Sequence, residues 1–130
     1  MKTTVTVPIP ELPESDHHNC RALGQILDRV GDKWTVMVVG VLSRGPLRFN
    51  QMMREIGGVS HRMLTLTLRS LERDGLVTRT AYATIPPKVE YALTDAGSSL
   101  IEPLRALSNW AIEYRPVIDQ ARAEYDMRVI

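Results

Sequence analysis

The sequence has little of three features that would indicate a compartment or a partner: cysteine, long apolar runs and net charge. Its 130 residues include one cysteine, Cys20, which excludes an internal disulfide and favours a reducing compartment. The longest apolar run, VMVVGVL at 36–42, is far shorter than the roughly 20 residues of a membrane-spanning helix. The start, MKTTVTVPIPELP, has prolines where a signal peptide needs an unbroken apolar stretch. We therefore expect a cytoplasmic protein without membrane contact.

The formal net charge of +1 indicates no partner by itself, but the charges are unevenly distributed. Residues 44–88 hold eight Lys and Arg side chains against three acids, which gives a net charge of +5. Residues 1–43 carry −1 and residues 89–130 carry −3. A basic middle between mildly acidic ends is typical of chains that bind nucleic acid.

Apolar spacing predicts four helices in the first 75 residues. Three of them, over 21–31, 32–46 and 48–58, end at glycine or proline. The fourth covers about 60–74, with Ser60 as its N-cap and Gly75 as its stop. Its leucines share one face and its arginines lie almost opposite: Leu64, Leu68 and Leu71 against Arg62, Arg69 and Arg73.

A hairpin and a last helix follow the fourth helix. Residues 76–83 and 88–94 alternate apolar and polar side chains with period two, around a TIPP tip that suits a loop. Thr94 is then expected to cap a helix that runs to Ile118, with Pro103 bending or restarting it.

Two short helices, a glycine-containing turn and a two-stranded hairpin are the element order of a winged helix-turn-helix. Its second helix enters the major groove of B-DNA, and its hairpin, the wing, reaches the flanking backbone. We predict a mainly α fold with a small β-hairpin wing (α+β) and additional N- and C-terminal dimerisation helices. The domain would cover 17–115, between an extended arm at 1–16 and a tail or helix extension at 116–130.

Four blocks of the sequence carry a family resemblance. In order they are C-x6-L-D-x2-G-D-K-W-T, G-P-L-R-F-N-Q-M, G-V-S-H-R-M-L-T-x2-L-R-x-L-E-x-D-G-L-V and P-P-K-V-E-Y-A-L-T-D-A-G. Together they resemble HxlR-type winged-helix transcriptional regulators of the MarR-like superfamily, over about Cys20 to Trp110. The resemblance implies a bacterial homodimer that binds operator DNA, and we expect a repressor on a palindromic operator, located on the nucleoid and without a cofactor.

The resemblance makes the helix at about 60–74 the recognition helix and the hairpin around 85–88 the wing. Guanidinium groups there would reach phosphates and guanine edges. The expected DNA-binding residues are Arg48, Asn50, Ser60, His61, Arg62, Thr65, Arg69, Arg73, Arg79 and Lys88.

An apolar stripe on the last helix predicts a dimer interface, because a stripe this long exceeds what one small domain needs for its own core. Its residues are Leu100, Leu104, Leu107, Ala111, Tyr114 and Ile118. The alternative is that this helix folds back onto its own domain and leaves the protein monomeric.

Cys20 is a candidate redox sensor, since some members of the family sense oxidants or electrophiles through a cysteine near the start of the first helix. A thiol near a helix N-terminus gains thiolate character. The alternative is a half-buried cysteine that acts as a small hydrophobe at the dimer seam. A small-molecule effector is a further candidate input. With His17 and His18, Cys20 matches no strong zinc pattern, so no metal site is predicted.

Two other functional classes compete with the DNA-binding regulator. A winged helix used only for protein–protein contact would tend to have an apolar or acidic recognition face, and this face is basic. An enzyme is not expected, because the sequence has no readable nucleophile–base pair, paired-carboxylate site or glycine-rich phosphate loop.

Overall fold

The structure, a computed structural model, describes residues 17–129 and the side chains of residues 20–128. Its elements are α1 (His17–Val30), α2 (Lys33–Leu42), α3 (Phe49–Glu55), α4 (His61–Arg73), β1 (Val77–Tyr82), β2 (Lys88–Leu93), α5 (Asp95–Ser98) and α6 (Ile101–Val129). The predicted fold class, mainly helical with a small hairpin, is confirmed. The arm predicted at 1–16 lies outside the described residues, as do the His17 and His18 side chains. None of the helices between 17 and 129 combines the length and apolar content of a membrane span.

The hydrophobic core lies where α2, α3 and α4 meet the hairpin. The leucine face of α4 is fully buried in it, and each buried leucine stabilises the fold by about 2 kcal/mol. The buried cluster consists of Val38, Leu42, Met52, Ile56, Val59, Leu64, Leu68, Leu71 and Val77. The apolar side of α4 therefore fixes this helix to the domain and leaves its opposite side to solvent.

Both ends of α4 are closed by the residues that the sequence predicted. Ser60 Oγ accepts a hydrogen bond from the Met63 N–H at 3.0 Å, as an N-cap does. At the other end Gly75 has a φ of +76°, and the Leu76 N–H donates to the Leu71 carbonyl at 2.9 Å. This Schellman arrangement needs glycine because L side chains rarely adopt that φ. It reverses the chain directly into β1.

The hairpin is antiparallel, from Val77 opposite Leu93 to Tyr82 opposite Lys88. Leu47, in the loop before α3, adds a bridge on the other edge of β2. Its N–H donates to the Tyr91 carbonyl at 3.0 Å, and its carbonyl accepts from the Tyr91 N–H at 2.8 Å. β2 also packs against α2, α3 and α5, and it is half-buried along its length, whereas β1 is exposed after Val77.

The cap at Thr94 and a restart of the last helix near Pro103 are confirmed, but the predicted bounds are wrong, because α6 runs to Val129 and not to Ile118. Thr94 Oγ1 does accept from the Gly97 N–H at 3.1 Å, but the helix that it caps, α5, ends at Ser98. Pro103 has no N–H for the Ser99 carbonyl, and its ring would crowd that carbonyl, which disfavours an unbroken helix at this point. The chain restarts as α6 at Ile101, which places Pro103 harmlessly in the first turn. α6 then continues through Pro116 to Val129.

Gly97 is buried where the end of α4, the hairpin and α5 meet. A Cβ at this position would overlap the carbonyl oxygen of Leu76. The same oxygen accepts from the Thr94 N–H at 3.0 Å, and Thr94 Oγ1 donates to the Gly75 carbonyl at 2.6 Å. The start of the C-terminal helices is thus fastened to the turn that ends α4, and only glycine permits the approach.

We expect Gly97→Ala to lower the free energy of unfolding by about 2–3 kcal/mol, because the new methyl group must displace a backbone carbonyl. The matched control is Gly40→Ala in α2, where a Cβ meets nothing within 4 Å. There alanine should raise stability by up to about 1 kcal/mol, since it favours the helix over glycine. Urea unfolding at one fixed protein concentration measures both variants, and equal stabilities would contradict the role given to Gly97.

Candidate nucleic-acid interface

The outer face of α4 presents exposed arginines from a helix that cannot easily rotate. Arg62, Arg69 and Arg73 are exposed, whereas Leu64 and Leu68 on the opposite side are buried. The last arginine follows the first by 11 positions, which is about 16 Å along the helix axis. The arginines therefore form an extended binding surface along the helix and not the pocket of one small molecule.

Three predicted contact residues at the start of α4 also hold the structure together. The Ser60 hydroxyl oxygen caps the helix, and the His61 ring packs on Phe49 of α3 with centroids 4.5 Å apart. The Thr65 hydroxyl donates to the His61 carbonyl at 2.8 Å. The first turn of α4 is therefore closed by two hydrogen bonds of its own and contacts α3 through the His61–Phe49 ring pair.

Arg48 and Asn50 lie at the start of α3, and both are exposed. The Arg48 backbone N–H donates to Gln51 Oε1 at 2.8 Å, which closes the first turn of this helix. The Arg48 guanidinium takes no part in that bond. The pair therefore extends the polar surface beyond the start of α4.

The register of the hairpin places Arg79 and Lys88 on opposite faces. Arg79 lies opposite Tyr91, and Lys88 lies opposite Tyr82. Side chains alternate between the two faces along a strand. Arg79 and Tyr82 are three positions apart on β1, so the Arg79–Tyr91 pair and the Lys88–Tyr82 pair lie on opposite faces of the hairpin. The predicted wing contacts are thus separated, although both belong to the hairpin.

Arg79 meets α4 across a groove of about 360 Å³. The groove is lined by Thr65, Leu68, Arg69, Glu72, Arg79 and Tyr91. It brings together two arginines that lie on different elements, together with one carboxylate. Glu72 and Tyr91 were absent from the predicted site, although the position of Glu72 one turn after Arg69 could have indicated it.

Arg73 lies in a different setting from Arg62 and Arg69. It lines a cleft of about 710 Å³ between α1 and the end of α4. At the same cleft Arg29 Nε donates to Asp74 Oδ2 at 3.0 Å, which ties α1 to the C-cap of α4. Arg73 is therefore the arginine of α4 that lies nearest to α1.

The remaining predicted residues lie on α1, on α6 and in the turn before α6. Cys20 is half-buried in the first turns of α1. In the predicted stripe Leu104 is buried, Leu100 and Ile118 are half-buried, and Leu107, Ala111 and Tyr114 are exposed.

A short helix, a turn and an exposed, arginine-bearing second helix, followed by a hairpin that packs beside it, define a winged helix-turn-helix protein. Residues 29–119 match the model of the HxlR-like helix-turn-helix family. The chain belongs to this family, and the resemblance read from the four sequence blocks is confirmed.

Relatives and solved structures agree with that assignment. The HTH-type transcriptional regulator YtfH of Escherichia coli K12 is 42% identical over 86 residues, which are 66% of this chain and 68% of that protein. The structure of ytfH from Salmonella typhimurium has a TM-score of 0.70 and 35% identity, over 78% of this chain and 90% of that one. The oxidized form of the redox regulator HypR has a TM-score of 0.65 and 38% identity, over 71% and 95%. This is a family of transcriptional regulators, and the prediction that the chain is not an enzyme is confirmed.

Proposed function

We propose that this protein is a transcriptional repressor that binds a palindromic operator as a homodimer, with α4 in the major groove and the hairpin on the flanking backbone. The observation that carries the proposal is the outer face of α4. Among side chains 20–128, its three arginines form no ion pair with the protein's own carboxylates, and all three lie along one exposed side of a helix whose other side is buried. Unpaired guanidinium groups on an anchored helix are available to phosphates and guanine edges.

The other predicted contacts surround this face. Arg48 and Asn50 adjoin the start of α4, where Ser60, His61 and Thr65 also lie, while Arg73 extends the face toward α1. On the wing, Arg79 lies on the side turned toward α4, whereas Lys88 lies on the opposite side and is left out of the proposed contact surface. A dimer seated on an operator would block access of the polymerase, which is why we propose repression. Binding to chromosomal DNA would place the protein in the cytoplasm, on the nucleoid.

The exposed stripe on α6 supports the homodimer. The start of α6 packs on its own domain, where Leu104 is 7% exposed. Farther along, Leu107 and Tyr114 are 52% and 42% exposed, and Ile26 of α1 is 59% exposed. The helix leaves its own domain after its first turns, which argues against a stripe that folds back onto its own core. A second copy would cover these side chains and place two recognition helices about 34 Å apart, one turn of DNA, or a multiple of that spacing.

Cys20 supports a redox input to this regulator. The similar protein HypR is a redox regulator by name. Because the chain has one cysteine, a disulfide of Cys20 must join two subunits or a subunit and a small thiol. When two Cys20 thiols join, they lose two protons and two electrons to an oxidant such as diamide. A disulfide at Cys20 would constrain the position of α1, and α1 is bonded to the end of α4 through Arg29 and Asp74.

We expect Arg62→Ala to weaken binding to an operator selected from random DNA by about 1–3 kcal/mol and to relax the preference at one base pair. Arg62 lies in the first turn of α4, where recognition helices reach base edges. Arg69→Ala should also weaken binding. Arg105→Ala on α6 removes the same charge far from the site and should leave the affinity unchanged. Fluorescence anisotropy at one fixed salt concentration measures all three.

An unchanged affinity of the Arg62→Ala/Arg69→Ala double variant would contradict the assignment of α4 as the recognition helix. The same titration distinguishes the alternative class of protein. A module that only binds other proteins would show no DNA affinity that falls steeply with salt, whereas phosphate binding requires it.

Leu107→Glu should convert the dimer into a monomer at micromolar concentration, because it places a charge in the middle of the stripe. This residue is a better probe than Leu104, whose burial in its own domain would make a charge there unfold the chain. Asn109→Glu is the matched control, since it adds the same charge at an exposed position on the side of α6 opposite the stripe. Sedimentation velocity measures the three proteins, and a monomeric wild type that binds a palindrome normally would end the dimer proposal.

Cys20→Ser should bind operator DNA as the wild type does and should no longer respond to diamide. For the wild type we expect diamide to lower operator affinity and dithiothreitol to restore it. A non-reducing gel and the intact mass distinguish a disulfide between subunits from an adduct with a small thiol. If the wild type and Cys20→Ser lose affinity equally with diamide, the redox proposal is wrong.

A further inference from the structure

We infer that the wing binds the DNA backbone through Arg79, which lies on the hairpin face turned toward α4 (the inner face), across the groove from Arg69. Lys88 lies on the opposite, outer face, where we infer that it stabilises the hairpin instead of binding phosphate. The inference rests on the proposed DNA binding and deepens it, because it assigns one phosphodiester seat to a particular pair of side chains. It also gives different roles to Arg79 and Lys88, which the sequence analysis predicts alike as DNA contacts of the wing.

The inner face is defined by the hairpin register and by its contacts with α4. Arg79 and Tyr91 form a cross-strand pair, and both line the groove beside α4. Val77 and Leu93, two positions along each strand, form another pair of the same face and pack on or in the core. The face that carries Arg79 is therefore the one turned toward the recognition helix.

The charges of this groove fit a single phosphodiester. Arg69 and Arg79 are accompanied there by one carboxylate, Glu72, so the lining carries a net charge of +1. Within residues 20–128 neither arginine forms an ion pair. The Thr65 hydroxyl hydrogen is already donated to the His61 carbonyl. The two guanidinium groups are thus the free charged donors of the groove, and their fork geometry suits phosphate oxygens.

Lys88 has partners of its own on the outer face. Its Nζ lies 3.3 Å from Glu90 Oε2 and 5.1 Å from the centroid of the Tyr82 ring. The Lys88 and Glu90 side chains are only 33% and 24% exposed. Recruiting Lys88 to a phosphate would leave a partly buried carboxylate without its cation beside the DNA backbone, which like charges oppose. The pair adds no net charge to the wing, and Arg79 is the cation that remains.

The test compares the dependence of DNA affinity on salt concentration in three full-length variants. Arg79→Gln should weaken binding to all sequences alike and lower the slope of log affinity against log salt by about 0.9. Lys88→Gln/Glu90→Gln removes the outer pair without changing the net charge. Its DNA affinity should stay within twofold of the wild-type value, and its salt slope within about 0.2. Arg105→Gln on α6 is the control for loss of one distant charge.

Arg79→Lys keeps the cation and should restore most of the slope, which a purely structural role of Arg79 would not do. If the salt slope falls by about 0.9 in Lys88→Gln/Glu90→Gln and is unchanged in Arg79→Gln, the assignment is overturned and the wing binds DNA through its outer face. Circular dichroism and the thermal midpoint check that each variant is folded. The wild-type titration tests the proposed function separately, since a wild type without salt-dependent DNA binding would overturn both proposals.

Discussion

The close packing of Gly97 on the carbonyl of Leu76 is the contact on which the rest of the molecule depends. It joins the turn that ends α4 to the start of the C-terminal helices, and Thr94 bonds to both residues of that turn. The direction in which α6 leaves the domain follows from this junction, and with it the position of the exposed stripe. In a dimer built on that stripe, the distance between the two recognition helices would depend on a glycine that touches no DNA.

The attachments of α4 leave its outer face free. Its start is held against α3 by the His61–Phe49 contact, and its C-cap Asp74 is bonded to Arg29 of α1. The leucine face supplies the rest through the core. Because these contacts use the ends and the inner side, the outer arginines form no ion pair with any side chain between residues 20 and 128. Such an anchored helix with exposed arginines is suited to binding a polyanion, because its backbone loses little conformational entropy on binding.

Sequence reasoning succeeded where the physical cause is local. Ser60 and Gly75 close α4 because capping and left-handed backbone are properties of one or two residues. The leucine and arginine faces follow from the helical period, and the hairpin follows from alternation with period two. The order of these elements then predicted the fold class. The limit appears at Thr94, where a cap signal was read correctly but the helix that it starts was predicted too long.

The tertiary structure decided what depends on neighbours distant in sequence. Alternation separates Arg79 from Lys88, but only packing determines which of their faces meets α4. A charge count gives the basic middle of the chain, yet it cannot tell that Lys88 is paired with Glu90 whereas Arg69 has no ion pair among the described side chains. The sequence by itself thus determined the order of helices and hairpin up to Thr94, the caps of α4 and the helix that bears the arginines. Which cations stay free was decided by the fold, because ion pairing depends on distances of a few ångströms between side chains that only the assembled domain brings together.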